Sequence, residues 1–219
     1  MPSIDSTRWM AFVDGENLTI RAQNHPDLQA VGLETRPTHY LRDVFIWMPR
    51  APQESEASLL KVGFPLSGYP TRAYYYTSVV GDNSKILSVR ESIRALEFDP
   101  QVFKKDQGSS RSKGVDITLT KDMLAHAFFN NYDAALLVAG DGDYVPLVQE
   151  VKRLGKNVFV LFFQETGLGL ANELRLVADR FVNLSDQFVH RWKTLPAQDK
   201  EREPRMTDDI WPPRGRAGG

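Results

Sequence analysis

An α/β fold built on a mostly parallel central sheet flanked by helices is predicted by three features of this sequence. Short, nearly continuous apolar runs recur along the chain, as strands buried on both faces require. Helical patterns alternate with them, and two of the runs stop directly at acidic, glycine-containing turns.

WMAFV, from Trp9 to Val13, is the first strand and halts at Asp14-Gly15-Glu16-Asn17, where a strand passes into a turn and helix. Residues 23–70 carry His25-Pro26, Arg36-Pro37, Met48-Pro49 and Ala51-Pro52 around one convincing apolar segment, Tyr40 to Met48, and are read as an irregular proline-rich insertion. Arg72 to Val80, rich in aromatic and β-branched residues, is a strand, and Ile86, Leu87, Ile93 and Leu96 mark a helix over 83–96. Gln101 to Lys104 is a short extended piece before the loop KKDQGSSRSKG, and a helix follows from about Val115 to Phe129. Ala134 to Ala139 is a strand ending in GDGD; Tyr144 to Leu154 is a helix with Pro146 in its first turn and Gly155 just past its end. Asn157 to Phe163 is a further strand, followed by a weaker helix near 168–174 and an extended 180–184. From about Pro196 charge, proline and glycine dominate, so 196–219 is expected to be a flexible, disordered C-terminal tail.

The chain has 219 residues, 42% hydrophobic and 25% charged, which suits one domain with a full core. With 27 basic against 28 acidic residues, the net charge of -1 provides no overall attraction to a polyanion, so a nucleic-acid partner must be met by a local basic patch. The absence of cysteine excludes disulfides and thiolate metal ligands and fits a reducing compartment, so a cytoplasmic location is expected. No apolar run approaches a membrane span, and no membrane partner is expected. A homo-oligomer is compatible with the sequence, which leaves the oligomeric state open.

In parallel sheets ligands collect beyond the carboxyl ends of the strands, where separate loops meet. Asp14 follows the first strand, Asp141 and Asp143 follow AALLVA, and Asp116 opens a helix. Carboxylates brought together repel one another unless a cation neutralises them. All the donors are hard oxygens, so Mg²⁺ or Mn²⁺ is favoured over zinc. Each acid also has a plainer role. Asp14-Gly15 is a common turn signal, Asp116 is placed to cap its helix, and GDGD is a turn whose acids suit a helix start. A structural turn does not require acids at both strand ends, however, and that favours a metal site. Asn17 lies one turn into the helix after Asp14 and suits either a site contact or a cap. Lys113 stands just before Asp116, where its ammonium would meet a phosphate or balance the acids. Lys105 and Arg111 lie in the loop before it and supply a candidate basic footprint for nucleic acid.

FVDGEN (12 to 17), KGVDITLTKDML (113 to 124) and LLVAGDGDYVPLVQEVKRLGKNV (136 to 158) together resemble the NYN domain family, a branch of the PIN-like nucleases. The resemblance implies a single PIN-like domain over 9–192, including the insertion 23–70. It further implies a parallel sheet with an acidic pocket at its strand ends, and Mg²⁺- or Mn²⁺-dependent cleavage of RNA, with single-stranded RNA as the expected partner. The family's catalytic and metal-binding acids carry over onto Asp14, Asp116, Asp141 and Asp143, its polar helix residue onto Asn17, and its lysine before the helix onto Lys113. Ala139 stands where serine is common, Tyr144 where phenylalanine is frequent, and 23–70 has no clear counterpart. Two other readings fit part of the pattern. A haloacid-dehalogenase-like phosphatase would use Asp14 as nucleophile, but it requires aspartate at the Glu16 position, threonine at Leu18, and leaves Asp116 unexplained. A PIN-like module that binds RNA or protein without cutting would retain the same acids. A dinucleotide fingerprint fails, because Val145 occupies its third glycine position.

Overall fold

The computed structural model describes residues 7–31, 38–41, 45–49, 70–105, 113–165 and 167–186. The element order is β1 (Trp9–Asp14), α1 (Gly15–Asn24), α2 (Pro26–Val31), β2 (Thr38–Leu41), β3 (Ile46–Pro49), β4 (Arg72–Val79), α3 (Asn83–Arg94), β5 (Asp99–Lys104), α4 (Lys113–Phe128), β6 (Ala134–Val138), α5 (Val145–Arg153), β7 (Asn157–Phe162), α6 (Asn172–Val177) and β8 (Arg180–Asn183). The expected tail, 196–219, lies outside the described residues.

Six strands form one sheet in the order β5-β4-β1-β6-β7-β8, every pairing parallel. The central strands are apolar throughout because both faces are covered. In β1, Trp9, Ala11 and Val13 face one core with Leu18 and Ala22 of α1 and Val89 and Ile93 of α3. Met10 and Phe12 face the other, with Leu119 and Met123 of α4, Leu147, Val148 and Val151 of α5 and Leu174 of α6. Each large apolar side chain buried this way contributes roughly 1.5–3 kcal/mol. Proline at position 100 is tolerated because β5 is the sheet edge.

Helix boundaries follow local chemistry. Asp82 caps α3 by accepting from the Lys85 N–H at 3.0 Å. Pro26 stops α1, and Gly155, at φ +77, lets the chain leave the end of α5. Within 23–70 the described residues hold α2 and an antiparallel β2–β3 pair outside the main sheet. The apolar segment Tyr40 to Met48 is divided between these two strands, with Phe45 at φ +50 just before β3.

Strand order reverses beside β1. The chain steps outward from β1 to β4 and β5 on one side, then returns to place β6, β7 and β8 on the other. Connections leaving β1 and β6 diverge to opposite faces, which opens a crevice between their carboxyl ends where ligands bind in folds of this kind.

Candidate active site

The structure places Asp14 at the end of β1, only 3% exposed. Its Oδ1 accepts the Asn17 N–H at 2.9 Å, so Asp14 is also the N-cap of α1. A Cβ on Gly15 would lie 2.0 Å from Tyr75 Cε1, so only glycine lets the chain turn past that buried ring. Asn17 spans the crevice, its Oδ1 accepting the Gly140 N–H at 3.1 Å beyond β6.

Tyr144 connects the acids. Its ring is packed in the core between the sheet, α4 and α5, and its hydroxyl lies 2.9 Å from Asp14 Oδ2 and 3.1 Å from Asp116 Oδ1. Asp14 is buried, whereas Asp116, in the first turn of α4, is exposed, so the pair reaches from the interior to solvent. Burial pushes the Asp14 carboxyl up to about 7; the Asn17 N–H and Tyr144 hydroxyl oppose the rise, while the negative charges of Asp116 and Glu16 add to it. Burial, then the charges of Asp14 and Asp116, raise the Tyr144 phenol far above its ordinary range, so it remains a neutral donor.

The remaining residues expected at the site are arranged differently. Asp141 lies beyond β6, and its Oδ1 accepts the Asp143 N–H at 3.1 Å, which caps the short 3₁₀ turn Gly142–Tyr144. Asp143 is exposed. Asp14 and Asp116 therefore meet through Tyr144, while the carboxylate of Asp141 is engaged in its own turn. Among the described residues no group of three or more His, Cys, Asp or Glu side chains is arranged to hold a metal ion. Lys113 begins α4, and Arg111 lies outside the described residues. Lys105, expected in a solvated basic loop, is directed inward: its Nζ lies 2.6 Å from Glu16 Oε1 and 5.2 Å from the centre of the Phe45 ring. Glu16 Oε2 accepts from the Ser78 hydroxyl at 2.6 Å.

Periodicity identifies Tyr144 as the start of a helix but carries no sign of what its hydroxyl reaches. The Glu16–Lys105 pairing was equally hidden, since 89 residues separate the partners. The one available signal was that each stands within two residues of a strand end, where parallel strands gather their polar side chains.

A crystal structure of a protein of unknown function from Vibrio parahaemolyticus RIMD 2210633 shares this fold, with a TM-score of 0.54 and 18% identity over 86% of this chain and 99% of that one. No curated protein matches the sequence. The family model for the NYN domain matches residues 8–185, which takes in the whole parallel sheet and every acid discussed above. The chain therefore belongs to the NYN domain family of PIN-like nucleases.

Proposed function

We propose that the chain is a ribonuclease that hydrolyses phosphodiester bonds of single-stranded RNA at the β1/β6 crevice with Mg²⁺ or Mn²⁺. The observation that carries this reading is the meeting of Asp14 and Asp116, from distant parts of the chain, on one neutral hydroxyl at the strand-end crevice. A phenol has a single hydrogen, so it can donate to only one of the two carboxylate oxygens at a time. Their hard oxygens suit a divalent cation, which also fits the general use of divalent metals among PIN-like nucleases. Asp14 and Asp116 would hold it, with Asp141 and Asp143 as further donors from the adjacent turn. Such a cation, when bound, lowers the pKa of water and stabilises charge on phosphodiester oxygens.

The chain's own residues supply the setting. Asn17 fixes the width of the crevice through Gly140, and burial keeps Asp14 out of competing water. Lys113, which precedes Asp116 in sequence, and Arg111 are assigned to the phosphate backbone. Because net charge is -1, this local positive charge matters more than any overall field. The RNA preference comes from the family, not from the acids.

A second reading, a module that binds RNA without cutting it, is favoured by the engagement of Asp141 in its own turn. The phosphatase reading loses support, because Ser78 and Lys105 engage both oxygens of Glu16, the residue it needs as an acid. The test incubates purified protein with single-stranded RNA, single-stranded DNA and a phosphomonoester in Mn²⁺, Mg²⁺ or EDTA. Cleavage of RNA with either cation and none in EDTA is expected. Cutting in EDTA overturns the reading, and RNA binding without turnover in any condition replaces it with the second.

A further inference from the structure

Three segments meet at a single atom, the Tyr144 hydroxyl oxygen. Asp14 ends β1, Asp116 lies in the first turn of α4, and Tyr144 itself closes the turn between β6 and α5. In sequence they are 130 and 28 residues from the tyrosine, so no local turn preference draws them together. The tyrosine is well anchored for this position. Its ring is 2% exposed, its N–H donates to the Asp141 carbonyl at 3.3 Å, and Pro146 stiffens the backbone just beyond it.

We propose that Tyr144 is a positioning residue for the cation centre, its hydroxyl holding the exposed Asp116 of α4 against the buried Asp14 of β1; this rests on the ribonuclease reading above. The two carboxylate oxygens can stand no farther apart than the two hydrogen bonds laid end to end. Without the hydroxyl, Asp116 loses the contact that holds it towards Asp14, while the repulsion between the two charges remains. Asp14 would lose the donor on Oδ2 and, among the described residues, keep only the Asn17 N–H on Oδ1. Hydrogen-bonding partners that orient ligating carboxylates typically change metal affinity by about 10–100-fold, and the Tyr144 hydroxyl, with one hydrogen to give to either acid, is placed to act in that way between them.

The test compares full-length wild type, Tyr144→Phe and Asp14→Asn by Mn²⁺ calorimetry. Hydrogen–deuterium exchange of the first turn of α4 is followed in EDTA, with circular dichroism to check the fold. Tyr144→Phe is expected to bind Mn²⁺ about 10–100-fold more weakly than wild type and to exchange faster in that turn. Unchanged affinity and unchanged exchange, with Asp14→Asn still abolishing binding, overturn the role of Tyr144 while the ribonuclease reading stands. Wild type that binds no Mn²⁺ overturns both. Should Tyr144→Phe fail to fold, the exposed position 116 provides a second comparison. Asp116→Asn can still bond the phenol and is expected to keep α4 protected, whereas Asp116→Ala cannot and is expected to exchange faster. Equal exchange in those two variants overturns the proposal.

Discussion

Asp14 and Glu16 stand two residues apart at the same strand end, yet the fold treats them in opposite ways. Glu16 receives a cation from the chain itself, the Lys105 ammonium at 2.6 Å, and a hydroxyl from Ser78 at 2.6 Å. Among the described residues Asp14 receives only neutral donors, the Asn17 N–H and the Tyr144 hydroxyl, and is pressed by the charges of Asp116 and Glu16. Burial of a carboxylate beside other negative charges costs stability, and acids shifted in this way cluster at functional sites. Glu16 is thus neutralised within the chain, and on the proposed function Asp14 is the acid left for a ligand.

Breaking the Glu16 side should have the largest effect on stability. Lys105→Ala leaves Glu16, whose side chain is 12% exposed, without its cation, and the expected cost is about 3–5 kcal/mol in urea unfolding. The double variant Lys105→Met with Glu16→Gln should recover most of it, because it removes both charges together. A single variant as stable as wild type would show that the pair does not build the rim.

Next comes the Asp14 side, read through pH in the presence of EDTA. The folded carboxyl titrates near 7 against an ordinary 3.8, so between those values the folded protein keeps a proton that the unfolded chain has released. The stability from that proton is fully present below 3.8 and is lost as pH rises through about 7. The loss amounts to a few kcal/mol, on the order of 1.4 for each pH unit separating the two values. Asp14→Asn should flatten this part of the stability profile measured by thermal unfolding. A variant with the wild-type slope would place the titration elsewhere.

A smaller effect sharpens the contrast by altering the residue between the two acids. Gly15→Ala drives a Cβ into the fully buried Tyr75 ring, with an expected cost of about 1–3 kcal/mol. Tyr75 also donates to the Phe45 carbonyl, and Phe45 underlies Lys105, so the displacement should reach the Glu16 pair before it reaches Asp116. Calorimetric unfolding of Gly15→Ala in the wild-type and Lys105→Met backgrounds checks this, since shared contacts make the two costs non-additive.

The outline of the molecule was legible because its signals are local. Short apolar runs such as Trp9 to Val13 and Ala134 to Val138, bounded by turn residues, read as strands covered on both faces, and the acids that follow them fall where the strand order reverses. The structure sets Asp14 and Asp141 at the two lips of that crevice, as their position after the strands implied. What escaped the sequence reading depends on side-chain direction across long separations. Tyr144 reads as one more apolar residue at a helix start, and its hydroxyl matters only once β1 and α4 are beside it. Lys105 reads as a loop lysine offered to nucleic acid, because nothing near it in sequence shows that Glu16 will lie against it. One oxygen of Asp14 caps α1 and the other faces Tyr144, so the local turn role read from Asp14-Gly15 leaves half of the carboxylate directed into the crevice.

The most direct measurement is the initial rate of single-stranded RNA cleavage in Mn²⁺ by wild type and Asp14→Asn, with matched circular dichroism spectra. The expected result is a loss of at least about 10²-fold in the variant, together with stability equal to or above wild type at alkaline pH, because a buried charge has been removed. Equal rates for the two proteins would contradict the assignment of Asp14 as the acid kept ready for the cation.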